Sequence, residues 1–427
     1  MNGGTRKTTL KMPWAPPSVR ARLAQIQAET SPGTDQDLAA GRAAKEELVR
    51  DLDRTGLILY AGTNQISAAV AAAHHPQLSA RVSCGPPGDP AKTAGFAAVP
   101  QLEVLEVLAA RAVAATMGAH HADVRVPSAT LANLAAYAGL SRPGATIAAL
   151  PTWAGGHFSH REQGAAGIRG HRVVDIPFNP TRQDVDLDAL PSTLAAERPA
   201  LVILGGAVQL FPNDVGGVVE IAHEHGARVL FDASHPAGLI PGGSFPNPLD
   251  EGVDVVTFST YKSFGGPPGG AIVTRDEEIA ERLDVAVFPG LTTNHDVARM
   301  LPLQIAAAEL LRDGRRYGEL CLRTARALAD ALLDLGLPVM SAARGYTETN
   351  QLLIRMPDRT DAEAAVRRCA AAGIYLSATE HCDEHGKGPA LRLGTQEVVR
   401  RGLGPAEMPE IGTRLAALIA PGRQGSA

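Results

Sequence analysis

Two residues, Asp232 and Lys262, are placed to do chemistry in this sequence. Asp232 ends the apolar run Val229-Leu230-Phe231 and is followed by Ala233, Ser234 and His235. Thirty positions later (262 − 232), Val255-Val256-Thr257-Phe258 leads through Ser259, Thr260 and Tyr261 to Lys262 and then to a glycine-rich turn. That interval is about one strand–helix unit, so both groups fall just past the carboxyl ends of strands, where α/β sheets gather functional groups. Taken singly, each has an ordinary explanation. A strand-end aspartate followed by a histidine is often a cap or a turn former, and a lysine before a glycine turn is usually solvated. Together they match what pyridoxal 5'-phosphate (PLP) requires: a lysine amine to form a Schiff base, and a carboxylate to keep the pyridine nitrogen protonated so that the ring accepts electrons. Hydroxyls of Ser259 and Thr260 suit a phosphate or the lysine itself. Ser128 and Thr130, at a predicted helix start, suit the phosphate through the helix dipole and free amides.

The elements that must position these groups are legible as a βα alternation. Short apolar runs at Thr146–Leu150, Arg172–Ile176, Ala200–Leu204, Arg228–Phe231, Val253–Phe258 and Gly270–Thr274 predict strands, with helical patterns such as Val218–His225 between them. This is the pattern of a mostly parallel sheet covered by helices. Upstream, residues 1–35 read as a loose arm, followed by helices over Asp37–Asp53 and Gln101–Met117, and Ser128 reads as an N-cap. A long helical zone runs from about Leu301 to Leu335. Beyond it, strands at Gln351–Met356 and Ala390–Leu393 and helices at Ala362–Ala372 and Pro405–Ile419 predict a smaller α+β domain. The expected partition is an N-terminal arm and helix over 1–60, a large domain over 61–300 and a small domain over 301–427.

Composition narrows the function classes. With 427 residues, 45% of them hydrophobic, the chain can bury a large core. A net charge of −5 with 20% charged residues offers no basic footprint for nucleic acid. No window approaches the roughly 20 apolar residues of a spanning helix, and the N-terminus has no apolar signal core. Cys84, Cys321, Cys369 and Cys382 are far apart, which suits a reducing cytoplasm better than a disulfide framework.

Several motifs resemble one family, serine hydroxymethyltransferase. Phe231 to Ile240 is similar to its D-x-A-H-x-A-G-L-I segment, and Val255 to Gly270 to its V-V-T-x-T-T-H-K lysine segment. Gly155-Gly156-His157-Phe158-Ser159-His160 resembles G-G-H-L-T-H, and Ala286–Gly290 and Leu391–Thr395 resemble further stretches in the same order. The resemblance spans roughly residues 55 to 405. It implies PLP fold type I, an α/β fold with a mostly parallel seven-stranded sheet between helices, and a homodimer with shared active sites. It further implies Lys262 as the Schiff-base lysine, Asp232 at the pyridine nitrogen, His235 at the ring hydroxyl and Arg392 at the carboxylate of a small amino-acid substrate. Ser128, Ala129 and Thr130 would hold the phosphate and Ser259 would precede the lysine. Thr293 and Asn294 of the partner subunit would complete the phosphate site, and Gly62 and Thr63 would face the substrate.

The departures bear on the reaction. The family's Y-A-E tripeptide, with its essential glutamate, aligns with Val82-Ser83-Cys84. A substrate-facing serine is Gly62, the turn arginine is Pro268, and the histidine stacked on the ring is Ala154, leaving Trp153 or His157 to stack instead. Groups that hold PLP and a carboxylate remain, whereas those for folate-linked one-carbon transfer are changed. The expected activity is folate-independent: formation of an external aldimine with a small L-amino acid and aldolase or transaldolase chemistry at Cα/Cβ, in a setting such as specialised metabolism. Alternatives on the same scaffold are an aminotransferase, lyase or cyclase, a true folate-dependent hydroxymethyltransferase, or a non-enzymatic binding protein, against which Lys262 argues. Cys84 reads as a buried structural cysteine. Glu380–His385 has metal-ligand residue types without a second cluster and reads instead as an active-site-facing or solvated loop. His74-His75 and His120-His121 read as surface or structural, and no nucleotide-binding P-loop is present.

Overall fold

The structure is a computed structural model that describes residues 10–29, 35–54, 56–81, 83, 88 and 100–420. By internal packing the chain divides into two compact units, Met1–Leu57 and Ile58–Ala427. The first unit corrects the expectation of a loose arm. Helix α1 spans Pro17–Ala28 and α2 spans Asp35–Arg54. No residue of α1 is buried, so no apolar stripe betrays it. Its Ala, Gln, Arg and Leu content, with a proline at the start, carries it instead.

The second unit is built on a seven-stranded sheet. Its strands are β1 (His121–Asp123), β2 (Thr146–Ala149), β3 (Arg172–Asp175), β4 (Leu201–Gly205), β5 (Arg228–Asp232), β6 (Val255–Ser259) and β7 (Gly270–Thr274). They lie in the order β1-β7-β6-β5-β4-β2-β3, and β7 alone runs antiparallel to its neighbours. Strands β4 and β6 are buried at every position, as expected where helices cover both faces. Alternate residues enter opposite cores: Val202, Leu204, Val229 and Phe231 pack on one side, and Leu201, Ile203 and Leu230 on the other.

Helices α3 (Pro100–Thr116), α4 (Ala129–Leu140), α5 (Val215–Glu224) and α6 (Glu277–Val285) belong to these layers. The 35-residue α7 (Met300–Asp334) buries Leu303, Ala307, Leu310, Cys321, Ala325, Leu328 and Leu332 along one stripe. It packs against α3 and against α9 (Met408–Ile419), while α8 (Arg359–Ala371) covers a second sheet. That sheet is antiparallel, in the order β8-β10-β9, from β8 (Gln351–Arg355), β9 (Ser377–Asp383) and β10 (Gly386–Gly394). Strand β9 corrects the expectation of a loop over Glu380–His385. His381, Cys382 and Asp383 are buried. His381 Nε2 pairs with Gln183 Oε1 at 2.8 Å, Asp383 pairs with Arg355, and Glu380 faces Lys387 across the hairpin. The polar side chains that suggested a loop find partners inside the fold. No metal-holding cluster of these residue types occurs among the described residues.

Candidate active site

The parallel strands β4, β5 and β6 end together. Gly205 pairs with Asp232, and Asp232 pairs with Thr257. Asp232, the last residue of β5, is buried and accepts three hydrogen bonds, which leaves a carboxylate one acceptor site. Its Oδ2 accepts from Asn133 Nδ2 at 3.0 Å and from His160 Nε2 at 3.1 Å, and its Oδ1 accepts from the Ser234 amide at 2.9 Å. Behind it, the Tyr137 hydroxyl meets His160 Nδ1 at 2.5 Å. Asn133 Oδ1 accepts from Thr257 Oγ1 at 2.6 Å. Burial opposes the charge of Asp232, but the hydrogen bond and charge of His160, with help from His157 and Ser234, outweigh it and hold the carboxyl below the usual carboxylate range.

Lys262 follows β6 on a turn closed by the Gly265 amide to the Lys262 carbonyl and the Gly266 amide to the Thr260 carbonyl. Its Nζ lies 3.2 Å from His235 Nε2. Burial lowers the lysine to about 8, with Asp232 opposing and Arg392 adding to the shift. Burial, then the positive charges of Lys262 and Arg392, push His235 well below the usual histidine range, so its ring is neutral. Asn64 Nδ2 donates to the Lys262 carbonyl at 2.9 Å and reaches Tyr317 Oη at 3.1 Å, and Tyr317 donates to the Ser263 carbonyl.

Ser128, Ala129, Thr130, His157, Asp232, Ser259 and Lys262 border one cavity, joined by Asn133, Gly206, Ser234 and Tyr261. Ser128 caps α4, accepting from the Leu131 amide at 3.3 Å. The first residues of this 12-residue helix border the cavity, and the first amides of a helix lack intrahelical partners. Ser259 stands 3.4 Å from Ser234, oxygen to oxygen. His157, pushed down to about 4 chiefly by burial, is held by Ser159 Oγ at 2.7 Å.

Other expected residues stand apart. Trp153 does not border the cavity; it packs edge-on against Phe178 with Lys387 over its ring. Of the two stacking candidates, only His157 faces the site. Arg392, on β10, donates to the Ala207 carbonyl at 2.6 Å, and its charge bears on Lys262, His235 and His157. Thr63 is committed to Glu397 Oε2 at 3.0 Å, and Gly62 lies in the same turn. Thr293 and Asn294 are exposed and outside the cavity. Val82 and Cys84 lie outside the described residues, and buried Ala154 belongs to the core. A wider cleft along β1 carries His120 and His121 and none of these groups.

Sequence reading missed Asn133, Tyr137 and His160 around Asp232. Asn133 is 99 positions from its partner, so no spacing within a motif exposes it. The only local signal for His160 is its place at the end of the Gly155–His160 segment.

The donor set fits PLP. An ionised buried carboxylate suits a protonated pyridine nitrogen, a buried lysine near 8 suits covalent capture of an aldehyde, and a helix N-terminus suits a phosphate. Comparison with known proteins agrees. The family model for serine hydroxymethyltransferase matches residues 34–415. An alpha-methylserine aldolase of Variovorax paradoxus is 36% identical over 416 residues, covering 96% of this chain and 93% of its own. A serine hydroxymethyltransferase of Archaeoglobus fulgidus is 37% identical over 372 residues, covering 86% and 84%. The crystal structure of L-threonine transaldolase from Pseudomonas fluorescens superposes with a TM-score of 0.82 at 25% identity, covering 94% of this chain and 89% of that one. A family match over nearly its whole length makes the chain a PLP-dependent enzyme, and it belongs to the serine hydroxymethyltransferase family.

Proposed function

We propose that the protein is a folate-independent aldolase for a β-hydroxy-α-amino acid, working as a homodimer in the cytoplasm. When bound, PLP supplies an aldehyde for the amine and a sink for the electron pair left at Cα. Lys262 attaches the cofactor, Asp232 keeps the ring nitrogen protonated, and neutral His235 hydrogen-bonds beside the amine. Ser128, Ala129 and Thr130, with Ser259 and with Thr293 and Asn294 of the partner subunit, hold the phosphate. His157, which borders the cavity, would pack against the bound ring. Arg392 takes the substrate carboxylate, for which a guanidinium fork is suited.

One observation carries the folate-independent reading. Asp232 is the single carboxylate bordering the cavity among the described residues, and its three donors hold it ionised, below the usual carboxylate range. It cannot also shuttle protons for a one-carbon carrier, and the family's tyrosine and glutamate are Val82 and Cys84. The alpha-methylserine aldolase relative supports a fully substituted Cα in the substrate. Cleavage of α-methylserine there breaks the Cα–Cβ bond, releases formaldehyde, returns a proton to Cα and leaves alanine. The likeness to L-threonine transaldolase favours a second reading, in which an acceptor aldehyde takes the place of that proton.

The test is incubation of the holoenzyme with L-serine, L-threonine and α-methyl-L-serine without tetrahydrofolate. Aldehyde release with a matching amino-acid product is the expected result. Turnover that appears only with an added acceptor aldehyde moves the assignment to transaldolase. Ammonia with a keto acid, or an absolute need for tetrahydrofolate, overturns both.

A further inference from the structure

The segment from Leu59 to Asn64 is tied on two sides. The Leu59 amide donates to the Tyr375 carbonyl, and the Leu59 carbonyl accepts from the Gly394 amide at 2.8 Å. Gln396 Nε2 donates to the Tyr60 and Thr63 carbonyls at 3.1 and 2.7 Å, and Asn64 reaches the Lys262 carbonyl. The turn therefore runs between Lys262 and the end of β10, where Arg392 stands. The Tyr60 ring lies 5.8 Å from the Arg392 guanidinium. A Cβ added at Gly62 would stand 2.7 Å from Tyr60 Cε1 and Cζ and 2.8 Å from its hydroxyl. The Tyr60 ring thus occupies the space that a side chain at position 62 would need, at the position where the family resemblance places a substrate-facing serine.

We propose that Tyr60 is a substrate-carboxylate residue acting with Arg392, and that Gly62 is glycine because Tyr60 has taken over the place and the hydroxyl of a serine there. This rests on the reading of Arg392 as the carboxylate site given above. The Tyr60 hydroxyl is among the groups whose hydrogen bond and charge act on Arg392, and because arginine has donors and no acceptor, the guanidinium donates there and the tyrosine oxygen accepts. The phenolic proton is then free to donate to a carboxylate bound at the same guanidinium. A hydrogen bond to a charged group contributes enough to change binding by roughly tenfold or more.

The experiment follows the cofactor absorbance of the holoenzyme during titration with glycine, L-serine, α-methyl-L-serine and L-serinamide. Tyr60→Phe is expected to retain PLP and to weaken binding of the three acids by about tenfold or more, leaving kcat within a few-fold and L-serinamide binding unchanged. Gly62→Ser is expected to weaken the acids similarly, because the new side chain displaces the ring. The double variant Tyr60→Ala/Gly62→Ser is expected to bind the acids better than Gly62→Ser alone. Equal weakening of acids and amide, no weakening, or no recovery in the double variant overturns the inference. Weakened acid binding in Tyr60→Phe, in a wild-type enzyme that binds the acids but cleaves none, supports Tyr60 and overturns the aldolase reading alone. No wild-type response to any of the three acids overturns both.

Discussion

Lys262 owes its reactivity to its surroundings. A solvated lysine is almost wholly protonated at neutral pH, but burial brings this one to about 8, with Arg392 adding to the effect. Only the neutral amine attacks an aldehyde. The sign is therefore fixed: a lowered value raises the reactive fraction, which grows about tenfold per pH unit up to the midpoint and is complete above it. Capture of PLP by cofactor-free protein, followed by stopped-flow absorbance, is expected to accelerate with pH and to level off above about 8. Acceleration continuing toward pH 10 would mean a solvated amine. Asp232 shows the opposite arrangement, a charge stabilised by three donors. The two residues were legible from sequence because each ends an apolar run. The donors were not, because Asn133 and His160 lie on elements that only the folded sheet brings to β5.

At the scale of elements, the glycines that open β7 matter through what they admit. A Cβ at Gly270 would collide with the Ser128 carbonyl, and one at Gly269 would overlap the Arg299 guanidinium. Arg299 Nη1 donates to the Val124 and Val126 carbonyls at 2.6 and 3.0 Å, and its Nη2 to the Gly270 carbonyl at 3.2 Å. One buried side chain at the start of α7 so ties β7 to the approach to α4. The family's turn arginine is Pro268 here, and Arg299 still supplies a guanidinium beside that turn. Arg299→Ala removes three buried hydrogen bonds, after which the Val126 carbonyl keeps another donor, the Gly270 amide, and is expected to cost roughly 2–4 kcal/mol. Denaturant unfolding checks the stability, and a parallel PLP titration is expected to show weaker cofactor binding as Ser128 shifts. Unchanged stability and affinity would show that the tie is not needed. The βα alternation was read to within a few residues at most strands, because buried parallel strands are nearly continuous apolar runs. Helix α1 and strand β9 were missed because neither presents such a pattern: α1 buries nothing, and β9 buries polar groups that are paired.

At the scale of the molecule, two residues assigned to the phosphate site, Thr293 and Asn294, are exposed and away from the cavity of their own chain. A shared site predicts complementation. Lys262→Ala protein and Thr293→Ala/Asn294→Ala protein, each weak alone, are expected to regain activity when unfolded and refolded together. Random pairing of protomers restores about a quarter of the sites. No gain on mixing would place both residues outside the site. Within one chain, the turn from Leu59 to Asn64 has a different consequence. It is fastened at one end to the backbone that carries the lysine and at the other to the small sheet that carries the arginine, so it acts as a caliper. The spacing between the backbones that carry amine and guanidinium is held by the Leu59–Gly394 main-chain pair at one end and by the Asn64 side-chain amide at the other. A caliper reads length before it reads shape: it accepts one spacing between the amino and carboxylate ends of a guest and rejects a guest with a further methylene between them.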